Sequence, residues 1–215
     1  MKTLIAALFA LFVTGCASMQ AVSGVVPPPD TTMSATWPAT LRQAPATRLA
    51  LGPVRIRFGR TTLQDVLKAV GVGKLEHSGD AGDSRTWLCY VTAPHDGHVS
   101  RLWLVSGEID SGKYITGVSA RRVSSGTRAT ASCPQLPASF DHIVLDNDVW
   151  LGVSKSELAG RLKEPSHVSG DWRMFDYTRM FKADSCEEAQ RDSSLWVRLR
   201  DGRVEEIHAY QTETC

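Results

Sequence analysis

Leu195-Trp196-Val197-Arg198-Leu199-Arg200-Asp201-Gly202-Arg203-Val204-Glu205-Glu206-Ile207-His208-Ala209-Tyr210 is the stretch that decides the fold. An Asp-Gly pair between two runs rich in β-formers is the strongest short-range hairpin signal, because both central residues of the tight turn need positive φ. Alternation then assigns faces. Leu195, Val197 and Leu199 claim one side of the first strand, with Ile207 and Ala209 beside them on the second. Trp196, Arg198, Arg200, Glu206, His208 and Tyr210 fall on the other side. Upstream, residues 171–181 read as a third strand. Before that, Ser154 followed three residues later by Glu157 forms a capping box, so a helix is expected there, with Leu158 and Leu162 on one face and Pro165 at its end.

The first half repeats this grammar. Phe58-Gly59 leads to Thr62 and Asp65, the same box with a shorter acid, then to Val66, Val70 and a helix-ending Gly71. One extra residue separates the glycine from the cap. Strand-like runs follow at 84–92, 99–106 and 113–123, with a turn at Asp110-Ser111-Gly112. Tyr90 matches Tyr177, Leu102-Trp103-Leu104 matches Leu195-Trp196-Val197, and Gly112 matches Gly202. The expected fold class is therefore α+β, two tandem repeats of a helix followed by a three-stranded antiparallel meander, over residues 51–136 and 137–215. A helix covers one face of such a sheet, so the other must meet water, the sister unit or a partner.

This pattern resembles the fold shared by two families, the small lipoprotein of the outer-membrane β-barrel assembly machine and the secreted β-lactamase inhibitor protein, which is itself a tandem. Gly152, Ser154, Glu157, Leu158, Leu162, Pro165 and Asp201-Gly202 carry the resemblance in the second half; Gly59, Thr62, Asp65, Val66, Val70 and Gly71 carry it less faithfully in the first. Two departures stand against transferring either role directly. The barrel-assembly lipoprotein has a single unit, and the inhibitor is not a lipoprotein.

The N-terminus sets the expected location. Lys2 precedes an apolar run from Leu4 to Val13, the n- and h-regions of a secretory signal. The run is far shorter than the ~20 residues a spanning helix needs. Val13-Thr14-Gly15-Cys16 resembles the bacterial lipobox, which implies removal of residues 1–15 and lipid, palmitate included, on Cys16. Ala17, rather than an aspartate, follows the cysteine, and the resemblance then implies the outer membrane, on its periplasmic side. Residues 16–50, with Pro27-Pro28-Pro29, Pro38 and Pro45, read as a lipidated, semi-extended tether. Trp37 in it is a dock onto the domain, an interface anchor or without a role.

Loss of the signal removes Lys2 and leaves 23 basic against 23 acidic side chains, so bulk charge recruits no nucleic acid. Besides Cys16 there are Cys89, Cys133, Cys186 and Cys215, an even number in an exported chain, and three pairings are open. The meander favours Cys186–Cys215, which should meet at one sheet edge. It pairs Cys89 with Cys133 only if residues 124–132 fold back.

No nucleophile elbow, phosphate loop or convincing carboxylate pair is present, so an enzyme and a cofactor are not expected. His95-Asp96-Gly97-His98 has two of the ligands zinc requires, in a hairpin turn, and no metal site is expected. Asp146-Asn147-Asp148 lacks the glycine and distal glutamate of a calcium loop and reads as a turn. The expected function is a lipid-anchored, periplasm-facing interaction module that docks an envelope protein, in outer-membrane assembly. The alternative is a periplasmic inhibitor of a hydrolase such as a β-lactamase. The partner is expected on the open sheet face, around Trp103 and Trp196 with Arg198, Arg200, His208 and Tyr210. Two alternatives to that surface stand open: the two units pack these faces together, or both tryptophans are core and the register is off by one.

Overall fold

A computed structural model of the chain describes residues 24–30, 38–80, 84–94, 97–107, 112–183 and 186–215. The expected signal segment, Cys16, Trp37, His95 and the Asp110-Ser111 half of the first turn lie outside the described residues.

The expected hairpin is the spine of the fold. Asp201 and Gly202 adopt φ of 50° and 73°, the paired positive values of a turn that matches strand twist. They join β10 (Cys186–Arg200) to β11 (Arg203–Thr214). A bulge between Arg198 and Leu199 interrupts an otherwise continuous register. β9 (Trp172–Ala183) pairs on the far side of β10, and a short β8 (His167–Ser169) covers only Trp172–Met174 of β9.

Both capping boxes form. Helix α1 (Leu63–Val70) starts at Thr62, whose hydroxyl accepts from the Asp65 N–H while the Asp65 carboxylate accepts from the Thr62 N–H. Gly71 ends it in the left-handed region at φ 79°. Helix α2 (Lys155–Leu162) starts at Ser154 with Glu157 in the reciprocal role. After α1 come β3 (Glu76–Ser78), β4 (Arg85–Val91), β5 (Val99–Gly107) and β6 (Gly117–Val123).

The α+β tandem is overturned at this point. The described residues are mostly β, with two short α-helices, an eight-stranded antiparallel sheet in the order β3-β4-β5-β6-β11-β10-β9-β8 and a three-stranded sheet. Each meander has a fourth strand, and the two merge because β6 pairs antiparallel with β11, from Gly117↔Tyr210 to Arg121↔Glu206. The second sheet, β2-β1-β7, joins β1 (Arg48–Leu51) and β2 (Val54–Arg57) to β7 (Ile143–Leu145) across the boundary drawn between the expected units. The edge Leu49↔Leu145 is stapled by Asp146, whose carboxylate accepts from the Thr47 N–H at 3.1 Å and the Thr47 hydroxyl at 2.6 Å. Asn147 closes the turn by accepting from the Val149 N–H. The acidic triplet is therefore a structural turn.

One face of the large sheet holds the main core. Leu102, Leu104, Val118, Leu195, Val197, Ile207 and Ala209 pack there against Leu49, Leu51 and Ile56 of the small sheet, Leu63 and Val66 of α1, and Leu158 and Leu162 of α2. Each such aliphatic side chain contributes roughly 1.5–3 kcal/mol by leaving water. The inward assignment of Leu102, Leu104, Leu195, Val197 and Leu199 holds, and so the tryptophans between them point to the second face.

Candidate functional site

Because strands alternate and the sheet is continuous, the second face is built from rows of cross-strand partners. The first row runs Arg101, Arg121, Glu206, Arg198, Trp172 across β5, β6, β11, β10 and β9. The next runs Cys89, Trp103, Ser119, His208, Trp196, Met174 from β4 to β9. The third runs Trp87, Val105, Gly117, Tyr210, Ser194, Asp176 over the same strands.

The middle row of this face is closed, and the expected surface needs correction. Trp103 is 0% exposed and Trp196 1%, while His208 is 4% exposed. Of the two alternatives, packing of the units' faces together fails, since the two halves lie side by side in one sheet, whereas both tryptophans are core as the other held, without the register slip it invoked. The chain's own N-terminal segment covers the β4–β5 side. Val25 and Val26 pack on a second apolar cluster of Trp87, Cys89, Val91, Val99, Trp103 and Cys133. The Trp103 indole Nε1 donates to the Val26 carbonyl at 3.1 Å, the Ser132 hydroxyl donates to the Gly24 carbonyl, and Arg85 reaches Asp30 at 3.5 Å. The tether reading is corrected here as well: residues 24–30 form a strap lying on the sheet, and β1 begins inside the segment read as tether.

Beyond the strap, polar groups are buried in two hydrogen-bonded sets. His208 Nδ1 shares a hydrogen bond with Ser119 Oγ at 2.9 Å, and its Nε2 meets Glu206 Oε1 at 3.2 Å. Arg198 closes on the other Glu206 oxygen at 2.7 Å and lies over the Trp172 ring, which stacks on His208. Burial alone would raise the Glu206 carboxyl; the His208 hydrogen bond and the nearby charges of His208, Arg198 and Arg121 outweigh it and hold it below its ordinary value. Asp176 accepts from the Ser194 hydroxyl at 2.6 Å and the Trp196 indole at 3.4 Å, and Tyr210 meets Trp196 edge-on. Burial pushes the Tyr210 phenol up. A cavity of about 160 Å³ lies between the strap prolines Pro28 and Pro29 and the sheet residues His208, Tyr210 and Ser119.

Serine, histidine and glutamate in contact resemble a nucleophile, base and orienting acid, but the backbone denies them an oxyanion site. Ser119 sits mid-strand with ladder partners on both sides, Trp103 on β5 and His208 on β11. The neighbouring N–H groups are thus committed to the sheet rather than free to receive developing charge. The Ser119, His208 and Glu206 set satisfies buried polar atoms at the join of β6 and β11.

Of the six residues expected at a partner surface, Trp103, Trp196 and His208 are interior. Tyr210 is half-buried, Arg198 is partly exposed but held by Glu206, and Arg200 stands exposed at the hairpin end near Glu205, 3.6 Å away. The cysteines form Cys89–Cys133 and Cys186–Cys215. Among the described residues no group of three or more His, Cys, Asp or Glu side chains gathers as a metal site, and no helix is long and apolar enough to cross a membrane.

Sequence reasoning missed Arg101, Arg121, Asp176, Ser119 and the strap. Arg101 and Arg121 face each other directly, a like-charged pair on neighbouring strands. Burial and the neighbouring Arg121 both pull the Arg101 guanidinium below its ordinary value. No protein-family model, curated protein or solved structure matches the chain.

Proposed function

We propose that the chain is a lipid-anchored, periplasm-facing interaction module of the bacterial envelope that docks a protein partner during outer-membrane assembly. The observation that carries this reading is the cysteine ledger. Four of five cysteines are consumed in two disulfides, which persist in an oxidising compartment, and the fifth is Cys16 in the lipobox-like segment. With the tryptophan rows of the second face buried, the partner meets the far end of β9–β11. There Met180 is 56% exposed, Thr178, Arg179 and Lys182 are exposed, and the Cys186–Cys215 bridge ties the strand ends. The Asp176 N–H donates to Ser166 and its carbonyl accepts from the Leu41 N–H, so Asp176 faces outward along the β9 edge. By alternation Thr178 and Met180 present their backbone groups outward too, and among the described residues no strand pairs with them. Such an edge accepts an added strand.

Two measurements test the proposal in living cells. Labelled palmitate should enter the wild-type chain and not Cys16→Ser. A photo-crosslinker at Met180 should trap one envelope protein that a crosslinker at the exposed Arg55 of the small sheet does not. Absence of label, or identical products from both positions, refutes the reading.

A further inference from the structure

We infer that the paired arginines Arg101 and Arg121, on the strap's upstream end of the second face, bind the phosphate headgroup of an anionic phospholipid. The inference rests on the lipid-anchor reading above and adds to it a second, electrostatic membrane contact.

Among the described residues the arginines form no ion pair of their own, and only Glu206, opposite Arg121 on β11, offsets their charge from a distance. They are cross-strand partners on β5 and β6, both half-buried, and both guanidiniums lie over the Trp103 ring, at 5.9 and 5.4 Å from its centre. Like charges directly opposite on a sheet are destabilising. The one carboxylate in their row, Glu206, is taken by Arg198 at 2.7 Å and by His208. Neither Arg101 nor Arg121 has an ion-pair partner among the described residues, and the buried Arg101 Nε has no hydrogen-bond acceptor. Arginine's planar fork suits a tetrahedral anion, and a phosphate between the two would satisfy the orphaned N–H and cancel the repulsion.

The strap supplies the source of that phosphate. It runs from Gly24, bonded beside Cys133, past Val26 at Trp103, to Asp30 at Arg85. In register terms it starts at the Arg101–Arg121 end of the sheet and proceeds away from it, since Val91 opposes Arg101 and Arg85 opposes Gly107 on the same pair of strands. Cys16 lies eight positions before Gly24. Even fully extended, eight residues reach no more than about 29 Å. A long free tether would let the domain tumble far from the bilayer; a strap docked at Gly24 keeps this end of the sheet facing it. An anionic surface attracts basic groups only within about a Debye length, ~8 Å at physiological salt, so a tethered and oriented arginine pair is what the interaction requires.

The test uses the chain from residue 16 with Cys16→Ser, so that no lipid holds it, and co-sedimentation with vesicles. Vesicles of phosphatidylcholine containing about a third phosphatidylglycerol are compared with phosphatidylcholine alone. Sedimentation with the anionic vesicles only is expected. It should weaken about fivefold for Arg121→Gln and about 30-fold for Arg101→Gln with Arg121→Gln. Arg48→Gln with Arg55→Gln, on the small sheet, should leave it unchanged. If the double variant does not fold, as judged by its melting transition, Arg121→Gln alone decides. Equal sedimentation of wild type and variant overturns the inference. So does thermal stabilisation by millimolar inorganic phosphate without vesicle binding, which would mark a free-phosphate site instead. Palmitate labelling of Cys16 is read separately: label present with no vesicle binding overturns the headgroup contact alone, and no label overturns the anchor and the membrane source with it.

Discussion

Replacing Trp103 by alanine should destabilise the fold, and the magnitude follows from its surroundings. The side chain is 0% exposed, lies in the apolar cluster with Trp87, Cys89 and Val26, and donates its indole N–H to the strap at 3.1 Å. A buried tryptophan removes ~150–250 Å² from water, worth about 4–6 kcal/mol at ~25 cal/mol per Å². Measured truncations of this kind fall at about 3–5 kcal/mol, the range expected here. For a domain of this size that is a fall of roughly 6–20 °C in Tm. Urea unfolding with both disulfides intact should show the loss as a lower midpoint at similar slope. Trp103→Phe separates two contributions. It keeps most of the apolar body but leaves the Val26 carbonyl without its donor, at a cost of about 1–2 kcal/mol, and hydrogen exchange of residues 24–30 should quicken. A Trp103→Ala loss below about 1 kcal/mol would refute the covered face, because an exposed tryptophan costs little to truncate.

Peptide mapping without reduction should recover Cys89 with Cys133 and Cys186 with Cys215; any crossed pair contradicts the structure. Removing the first bridge should cost up to about 4 kcal/mol and the second slightly less, from closed loops of 44 and 29 residues. Thr62→Ala and Ser154→Ala should each cost about 1 kcal/mol, measured by denaturant unfolding, because each cap hydroxyl satisfies an N3 backbone N–H. Glu206, Asp65 and Glu157 are held below their ordinary values of 4.5, 3.8 and 4.5, the last two by hydrogen bonds to Thr62 and Ser154. Each binds its proton more weakly folded than unfolded, so their contribution is full above about pH 5 and is lost as pH falls through 4.5 and lower. Tm should drop over that window, and less steeply in Glu206→Gln.

Some of this was legible in the chain and some was not, for physical reasons. The capping boxes at Thr62 and Ser154 and the Asp201-Gly202 turn act over three or four residues, so short sequence carries them whole. Alternation in Leu195–Arg200 told which side each residue takes. It could not tell what covers a side, and the strap that buries Trp103 lies 77 residues upstream of it. β3 and β7 have three residues each and β1 four, too short for any periodicity, and β1 finds β7 across nearly a hundred residues. The helices, announced by the clearest local signals, therefore weighed more in the expected fold class than their eight residues each warrant. The arginine pair was illegible for the same reason: only the pairing of β5 with β6 brings Arg101 to Arg121.

The placement of β11 also sets an order of events in time. It comes last in sequence among the described strands, yet it lies mid-sheet between β6 and β10. Until residues 203–214 are available, β6 and β10 each present a bare edge and the apolar rows of both meanders lack their shared neighbour. A chain synthesised only that far can form either hairpin set but cannot close the sheet between them. Closure of the sheet thus waits for β11, and a chain that lacks it exposes two edges open to edge-to-edge aggregation.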